Sequence, residues 1–305
     1  MENGIKCVFL KYRKDVVDLT KERKRSLMKP AICHYSLNRR WKAENWTLDR
    51  LMEEVKRLGL ENIDVHAGMI GAPDSAAAKI KSALAKSGLI LSGLSMSNSF
   101  SSDKPEEFRA QVDTVKRWIQ VAAQVRAPVS RIFGGSLSLK QRNDPAIHQQ
   151  KYRQIMDGLG EVTREAEKHG LILALENHGG LPCTGEEQVE VIRSIKSPSL
   201  KATVDVGNYM NGGQEGHVGS RLAAPYAAYV HFKDFIKVDD AKSPWGWNVT
   251  PCGLGEGAVN HRACLEALRD AGYKGFVALE YEGVEDEQTG VPKSVAYMKQ
   301  VMQGF

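Results

Sequence analysis

The stretch LILALENHGG, residues 171–180, places a run of apolar residues directly before Glu176, an asparagine and His178. Because side chains alternate along a β-strand, Glu176 and His178 share one face with Ile172 and Ala174, and the leucines share the other. The leucine face suits packing against helices, while the opposite face ends in a carboxylate and an imidazole. The stretch therefore predicts a buried strand whose last residues project into a polar site.

Seven further runs of this kind occur from about residue 29 onwards, and helical stretches of roughly ten or more residues separate them. Eight strands alternating with helices in 305 residues predict a (β/α)8 TIM barrel of the α/β class, with a doubly wound open sheet as the alternative. The sequence lacks the phosphate-binding GxGxxG and GxxxxGK[ST] loops, which weakens that alternative. The seven runs are AICHYSL from Ala31, NIDVHAG from Asn62, LILSGLSM from Leu89, SRIFGG from Ser130, KATVDVG from Lys201, AYVHFKD from Ala228 and FVALEYE from Phe276.

Start and stop signals support the helices between these strands. Thr47 stands at a predicted N-cap, Thr184 has a glutamate at capping-box spacing, and Pro105 occupies a first helical position. The first predicted strand begins near residue 29, so we expect one barrel domain over residues 29–305 and an N-terminal extension of unknown role over residues 1–28. Glycines follow four predicted helices, where a left-handed residue is favoured: Gly59, Gly88, Gly170 and Gly272.

Composition and charge restrict the class of protein. The chain is 42% hydrophobic and 26% charged, as is usual for soluble globular proteins, and no apolar run approaches the roughly 18 residues of a membrane helix. The formal net charge of +5 is modest, and many basic residues lie in the first forty, which favours a solvated tail over a nucleic-acid surface. The five cysteines are scattered without a CxxC pair, so we expect neither disulfides nor a cysteine zinc site, and a cytoplasmic location.

Four predicted strands carry, near their ends, side chains that can bind a metal ion. In a (β/α)8 barrel the active site lies at the carboxyl ends of the strands. A single acidic residue there is more often a helix cap or a salt-bridge partner, but four successive strands are hard to explain by capping. The oxygen-rich set needs a counter-ion and predicts one divalent metal ion, with Mn²⁺ preferred and Mg²⁺, Co²⁺ or Zn²⁺ as alternatives. The predicted ligands are Glu176, Asp205, His231 and Glu280.

These strand ends also carry a family resemblance, in LEN at 175–177, VDVGN at 204–208, VHFKD at 230–234, LGEG at 254–257 and LEYEG at 279–283. From Met28 onwards the chain resembles the xylose isomerase-like TIM barrel superfamily of sugar phosphate isomerases and epimerases. That superfamily also contains inosose dehydratases and DNA-repair enzymes of the endonuclease IV type. The resemblance implies that the four predicted ligands hold one metal ion, and that Glu176 and Glu280 also form the catalytic acid/base pair.

The resemblance implies a metal-dependent sugar isomerase or epimerase that moves a proton next to a carbonyl through an enediolate. A lyase or dehydratase acting on a keto-sugar or an inosose is the alternative, and a sugar-binding protein without catalysis is a further one. One departure from the family pattern is Asn208, where epimerases and repair enzymes commonly have histidine. The PWGWN stretch at 244–248 also lacks the Asp-x-His pair of the repair enzymes, which argues against DNA cleavage.

Six side chains near the strand ends are candidates for binding substrate. Lys233 could hold an oxyanion or carry a proton, although pairing with a nearby acid is the plainer interpretation. The tryptophan of the predicted long loop after strand seven could stack on a sugar or pack at a subunit interface. We expect a small sugar or keto-sugar as the partner, no nucleic acid and no membrane, and the resemblance leaves a homo-oligomer open. The candidates are His34, His66, His178, Asn208, Lys233 and Trp247.

Overall fold

The computed structural model describes residues 28–243 and 246–305, apart from the side chains of residues 139, 239–243 and 246–247. The predicted extension lies outside the described residues except for Met28, which is buried in the core. The strands are β1 (Lys29–Cys33), β2 (Asn62–His66), β3 (Ile90–Ser95), β4 (Ser130–Ile132), β5 (Leu173–Glu176), β6 (Leu200–Asp205), β7 (Ala227–Phe232), β8 (Asp234–Ser243), β9 (Gly246–Cys252) and β10 (Phe276–Leu279).

Eight of these strands form one parallel sheet in the order β3-β2-β1-β10-β7-β6-β5-β4. Two backbone hydrogen bonds join its two edges, from Leu94 N–H to the Val129 carbonyl at 3.1 Å and from Met96 N–H to the Arg131 carbonyl at 2.9 Å. The sheet thus curls into a barrel, and the prediction of a (β/α)8 TIM barrel is confirmed. Each of the eight predicted runs overlaps one barrel strand.

Helices connect the strands and cover the outside of the barrel. Along the described chain, no helix combines the length and the apolar character that crossing a membrane requires. The α-helices are Asn38–Ala43, Leu48–Arg57, Pro73–Ser87, Pro105–Val125, Leu139–Asn143, Pro145–Lys168, Gly185–Ile195, Gly216–Ala223, His261–Asp270 and Glu287–Val301, and short 3-10 turns cover His34–Leu37, Ala67–Met69, Asn208–Gly212 and Ala224–Tyr226.

The predicted helix signals are present in the structure. The Thr47 hydroxyl accepts a hydrogen bond from Arg50 N–H at 3.3 Å, and Thr184 forms a complete capping box with Glu187. Pro105 opens its helix, as expected of a residue that has no N–H to leave unpaired. The four glycines that follow predicted helices all have positive φ values, which an L-residue adopts only with strain.

The strand faces separate two regions of packing. Outward side chains such as Leu173 and Leu175 join the main core beneath the helices, where each fully buried leucine contributes roughly 1.5–3 kcal/mol. The inward layer is made mostly of small residues, with Tyr229 filling the space between them and its hydroxyl 2.8 Å from the Ser92 hydroxyl. This small-residue floor leaves the next inward positions, at the carboxyl ends of the strands, to polar side chains. The other members of the layer are Ala31, Val129, Ala174 and Ala278.

The segment after β7 differs from the expectation of a long loop, because β8 and β9 pair as an antiparallel hairpin. At its base the Asp234 carboxylate accepts hydrogen bonds from several backbone N–H groups, including those of Gly255 at 2.9 Å and Gly257 at 3.1 Å. A Cβ atom at Gly257 would lie 2.3 Å from Asp234 Oδ1, so only glycine permits this approach. The predicted stacking residue Trp247 belongs to β9, and its side chain lies outside the described residues.

Candidate metal centre

The four predicted ligands come together at the carboxyl ends of neighbouring strands. Glu176 is the last residue of β5, Asp205 the last of β6, His231 lies on β7, and Glu280 directly follows β10. The register pairs Asp205 with His231, so these two side chains start at the same level of the barrel. Each of the four offers one ligand atom, all four atoms lie within 4.8 Å of one another, and all four residues are buried.

The arrangement fits a hard divalent cation. Buried polar atoms are nearly always hydrogen-bonded, yet His231 Nδ1 makes no hydrogen bond with any described residue. His231 Nδ1 lies 3.4 Å from Glu176 Oε2 and 3.6 Å from Glu280 Oε1, so one atom from each of three predicted ligands lies in the same small space. Three carboxylates and one imidazole are the donors that Mn²⁺ and Mg²⁺ accept, and thiolate is absent from the set.

Two asparagines hold the carboxylate ligands in place. The side-chain amide of Asn208 donates to Glu176 Oε1 and to Asp205 Oδ2, at 3.0 Å in both cases. Asn177, the asparagine of the LEN motif, exchanges two 3.0 Å hydrogen bonds with the backbone N–H and carbonyl of Asp205. Asn208 therefore supports two ligands side by side, and its predicted role in substrate binding stays a prediction.

Arg131 on β4 is a member of the site that the sequence analysis missed. Its Nε lies 3.1 Å from Glu176 Oε2, its Nη1 donates to the Met96 carbonyl at 2.8 Å, and its guanidinium lies 4.1 Å from the centre of the Phe133 ring. Arginine remains charged even when it is fully buried. The sequence does contain a sign of this role: Arg131 is the single charged residue of the SRIFGG run, and alternation along the strand places it on the inward face.

Lys233 is buried among the carboxylates of the site. Its Nζ lies 2.7 Å from Glu280 Oε2, 3.2 Å from Glu282 Oε1 and 3.7 Å from Asp205 Oδ2. Burial opposes the charge, but Glu280 and Glu282 outweigh burial and raise the pKa of Lys233 well above its usual range. The side chain is therefore an ammonium group, and it pairs with two acids that follow β10, in line with the plainer interpretation of this residue.

The pKa values of two predicted ligands, Asp205 and His231, show that the buried carboxylates favour a positive charge beside them. Burial raises the pKa of Asp205 to about 7 despite the nearby Lys233 ammonium. Burial would lower the pKa of His231, but the facing carboxylates of Glu280 and Glu176 outweigh it and raise that pKa to about 10. In the absence of a metal ion the carboxylates thus hold a proton on His231, and a divalent cation would supply positive charge in its place.

The remaining substrate-binding candidates lie around this centre. His34 is fully buried, with its ring 4.3 Å from that of Trp41, and His66 Nε2 lies 3.2 Å from the Ser97 hydroxyl. His178 stacks against Phe133 with ring centres 4.3 Å apart and keeps an exposed surface. Binding of substrate by these three histidines stays a prediction.

Comparison with known proteins places the chain in a family. Residues 52–301 match the family model described as a xylose isomerase-like TIM barrel. The inosose dehydratase of Bacillus licheniformis is 26% identical over 157 residues, which are 46% of this chain and 50% of that protein. The matched region spans at most about half the length of the curated relatives.

Solved structures of low sequence identity share the fold. A xylose isomerase-like TIM barrel protein from Mycobacterium smegmatis, in complex with magnesium, has a TM-score of 0.66 at 18% identity, over 92% of this chain and 97% of that one. The 3-keto-D-glucoside 4-epimerase of E. coli has a TM-score of 0.70 at 14% identity, over 90% of this chain and 99% of that one. With most of its length matched by the family model, the chain belongs to the xylose isomerase-like TIM barrel family.

Proposed function

We propose that this protein is a divalent-metal-dependent isomerase or epimerase that transfers a proton next to the carbonyl of a sugar-like substrate. The observation that carries the proposal is the placement of Glu176 and Glu280. Their strands, β5 and β10, are separated in the sheet by β6 and β7, yet both carboxylates reach within 3.6 Å of His231 Nδ1. Two bases thus approach one point from different sides.

The chemistry follows from these positions. A bound divalent ion would polarise the carbonyl and stabilise the negative charge that develops when the neighbouring C–H bond breaks. Glu176 or Glu280 accepts the proton as a general base. If the other carboxylate returns a proton on the opposite face, the product is an epimer, and if a proton is returned to the adjacent carbon, an aldose and a ketose interconvert. Arg131 and Lys233 offset the charge of the two carboxylates throughout.

The second candidate is a lyase, and Lys233 is the observation that favours it. Its ammonium group lies 2.7 Å from Glu280, so an acid stands directly beside a base. With a hydroxyl group β to the carbonyl, loss of the proton is followed by cleavage of the C–O bond, and Lys233 supplies the proton that makes the leaving group water. Relatives named as inosose dehydratases support this alternative.

The partner we propose is a small sugar or keto-sugar, in line with the names of the structural neighbours. Mn²⁺ remains the preferred metal in this proposal, although a neighbour of known structure is in complex with magnesium. A cytoplasmic location and a homo-oligomeric state stay predictions. DNA cleavage and sugar binding without catalysis receive less support, because Glu176 and Glu280, each beside a buried cation, suit the proposed proton transfer.

Proton NMR in D₂O tests the proposal directly. Mn²⁺-loaded protein is incubated with a panel of ketohexoses, inososes and 3-keto-glucosides, and the ion is removed by a chelator before spectra are recorded. We expect deuterium to enter beside the carbonyl together with a new epimer or isomer. Loss of water or of the aglycone without an epimer would identify a lyase. If no substrate takes up deuterium in the presence of any of Mn²⁺, Mg²⁺ or Co²⁺, the proposed proton transfer is wrong.

Glu176→Gln should remove both functions that we assign to this residue. We expect the rate of deuterium uptake to fall at least about 100-fold, because an amide cannot accept the proton, and metal affinity to fall as well. Isothermal titration with Mn²⁺ measures the second effect. The matched control is Glu53→Gln at an exposed position, which should retain both properties. Full activity of Glu176→Gln would remove this carboxylate from the mechanism.

A further inference from the structure

The two nitrogens of the His231 ring face different surroundings. Nδ1 points to the carboxylates of Glu176 and Glu280, at 3.4 Å and 3.6 Å, on the side of the proposed metal ion. Nε2 points the other way, to Asp64 Oδ2 at 3.7 Å. A neutral imidazole has one nitrogen with a proton and one with a free lone pair, so the partner of one nitrogen decides what the other can do.

Asp64 lies in the middle of β2, a strand that is buried along its whole length. Its side chain is fully buried and accepts a short hydrogen bond from the Ser95 hydroxyl through Oδ2. Its other oxygen, Oδ1, makes no hydrogen bond with any described residue. A buried carboxylate is expensive to keep without a partner, so this residue requires an explanation in terms of what it faces.

The neighbouring strand is shaped to keep Asp64 beside His231. At Gly93 on β3, an added Cβ atom would lie 3.2 Å from Asp64 Oδ1 and 3.4 Å from the Tyr229 ring. Any larger residue at this position would press on the carboxylate. Tyr229 in turn packs edge-on against the His231 ring, with ring centres 5.4 Å apart. The hydrogen bond from Ser95 and the packing at Gly93 therefore hold the Asp64 carboxylate on the side of the His231 ring that carries Nε2.

We propose that Asp64 is a positioning residue for the metal centre, and this inference rests on the metal dependence of the proposed function. A small movement from the present separation of 3.7 Å lets Asp64 Oδ2 accept a hydrogen bond from His231 Nε2–H, which fixes the orientation of the ring and leaves the Nδ1 lone pair directed at the metal ion. Carboxylates that bind the second nitrogen of a ligating histidine increase metal affinity in this way. Asp64 touches neither substrate nor metal, and it acts through His231.

A second metal ion between Asp64 and His231 is the rival arrangement, because Cys33, Asp64 and His231 also bring ligand atoms within 4.8 Å of one another. With an ion on each side, both ring nitrogens would have to give up their protons. A neutral histidine that donates through Nε2 needs no such loss. The two arrangements predict different numbers of bound ions, one for the positioning role and two for the rival.

Isothermal titration of the metal-free full-length protein with Mn²⁺ tests the positioning role. We expect one ion per chain in the wild type and a loss of affinity of about 10- to 100-fold in Asp64→Asn. Ser95→Ala keeps the charge of Asp64 and removes only its hydrogen bond, so we expect a smaller loss of about 3-fold. The matched control is Ser294→Ala, which removes a buried hydroxyl on the helix Glu287–Val301 that accepts a hydrogen bond from Leu254 N–H, and it should bind as the wild type does.

Nitrogen-15 NMR of the histidine ring in Mg²⁺-saturated protein supplies a readout that a merely structural role would not change. We expect a slowly exchanging proton on Nε2 of His231 in the wild type and in Ser294→Ala, and faster exchange of that proton in Asp64→Asn. Circular dichroism checks that each variant is folded. If Asp64→Asn does not fold, Ser95→Ala and the wild-type ring spectrum still decide the question.

The outcomes separate this inference from the proposed function. If the wild type binds Mn²⁺ and Asp64→Asn binds it equally well, or if Nε2 carries no proton, the positioning role is wrong and the proposed function is untouched. Two ions per chain would likewise overturn it in favour of the rival site. If Asp64→Asn weakens binding while no substrate is turned over, the positioning role holds and the proposed reaction fails. A wild type that binds no divalent ion would overturn both.

Discussion

Arg131 supplies a permanent positive charge to a barrel interior that would otherwise be dominated by carboxylates. Burial opposes ionisation of Glu176, but the guanidinium of Arg131 and the His231 ring outweigh burial and lower the pKa of Glu176. A carboxylate kept in its charged form is ready to bind a metal ion and to accept a proton. Arg131 thus affects both the stability of the barrel, as the buried partner of Glu176, and the ionisation of that carboxylate.

Replacement of this arginine should be costly for folding. In Arg131→Met the Glu176 carboxylate loses its buried partner, and we expect the free energy of unfolding of the metal-free protein to fall by about 3 kcal/mol. Urea unfolding followed by circular dichroism measures the change. Arg109→Met, at an exposed ion pair with Glu161, is the matched control and should change the same quantity by less than about 1 kcal/mol. Equal losses in the two variants would contradict the role given to Arg131.

His34 makes the stability of the protein depend on pH. Burial, with a smaller contribution from His66, lowers its pKa from 6.5 to about 3. Below pH 6.5 the unfolded chain therefore binds a proton that the folded chain does not, so the stabilising contribution is present above pH 6.5 and is lost progressively as the pH falls towards 3. This group alone should lower the free energy of unfolding by about 2 kcal/mol between pH 7 and pH 5.

The variant His34→Phe isolates this contribution, because phenylalanine fills the space beside Trp41 without a titrating group. Urea unfolding at pH 7 and pH 5 should show a drop in stability that is smaller in His34→Phe than in the wild type by about 2 kcal/mol. An equal drop in both proteins would mean that His34 can accept a proton in the folded state.

At the residue scale, alternation along the strands was enough to predict which four side chains meet, because each lies near the carboxyl end of an apolar run. The same alternation puts Arg131 and Asp64 on inward faces, yet neither was selected. When a single charged residue lies inside an apolar run, the sequence does not indicate which residue it pairs with. The partners, Glu176 and His231, come from strands that are distant along the chain.

At the scale of the elements, the eight barrel strands and the helix ends follow from local sequence, while the hairpin β8–β9 does not. Barrel strands are buried on both faces and read as continuous apolar runs. The hairpin contains KVDDAK at 237–242, where charges interrupt any apolar alternation, and the contacts at its base join residues that are distant in sequence. No local sequence pattern predicts those contacts, because they join Asp234 to residues about twenty positions later.

The anchor at the base of the hairpin can be tested through Asp234. This carboxylate accepts hydrogen bonds from four backbone N–H groups, and Asp234→Ala leaves them without that partner, so we expect a loss of about 3 kcal/mol in the free energy of unfolding. Hydrogen exchange should show reduced protection at Gly255 and Gly257 in particular. Asp270→Ala, which removes an exposed carboxylate, is the control. Unchanged protection at the two glycines would mean that the loop is held by other contacts.

At the scale of the whole molecule, the candidate metal centre takes its residues from the ends of four neighbouring strands of one barrel, so binding of an ion there should stabilise the entire fold. A ligand that binds only the folded state at about 100 times its Kd contributes about 2.7 kcal/mol, which corresponds to an increase in Tm of about 5 °C for a protein of this size. Differential scanning calorimetry with and without Mn²⁺ measures the shift. Glu176→Gln should show a smaller increase, and an unchanged Tm in the wild type would contradict a metal site that spans the barrel.

The position of β10 between β1 and β7 also sets an order of events during synthesis. This strand is the last barrel strand to leave the ribosome, and the residue after it, Glu280, is the fourth predicted ligand. A nascent chain that has not reached this point holds only three of the four ligands and has a gap between its first strand and β7. If the proposed metal site needs all four residues, we expect tight binding of an ion only in chains whose translation has passed residue 280.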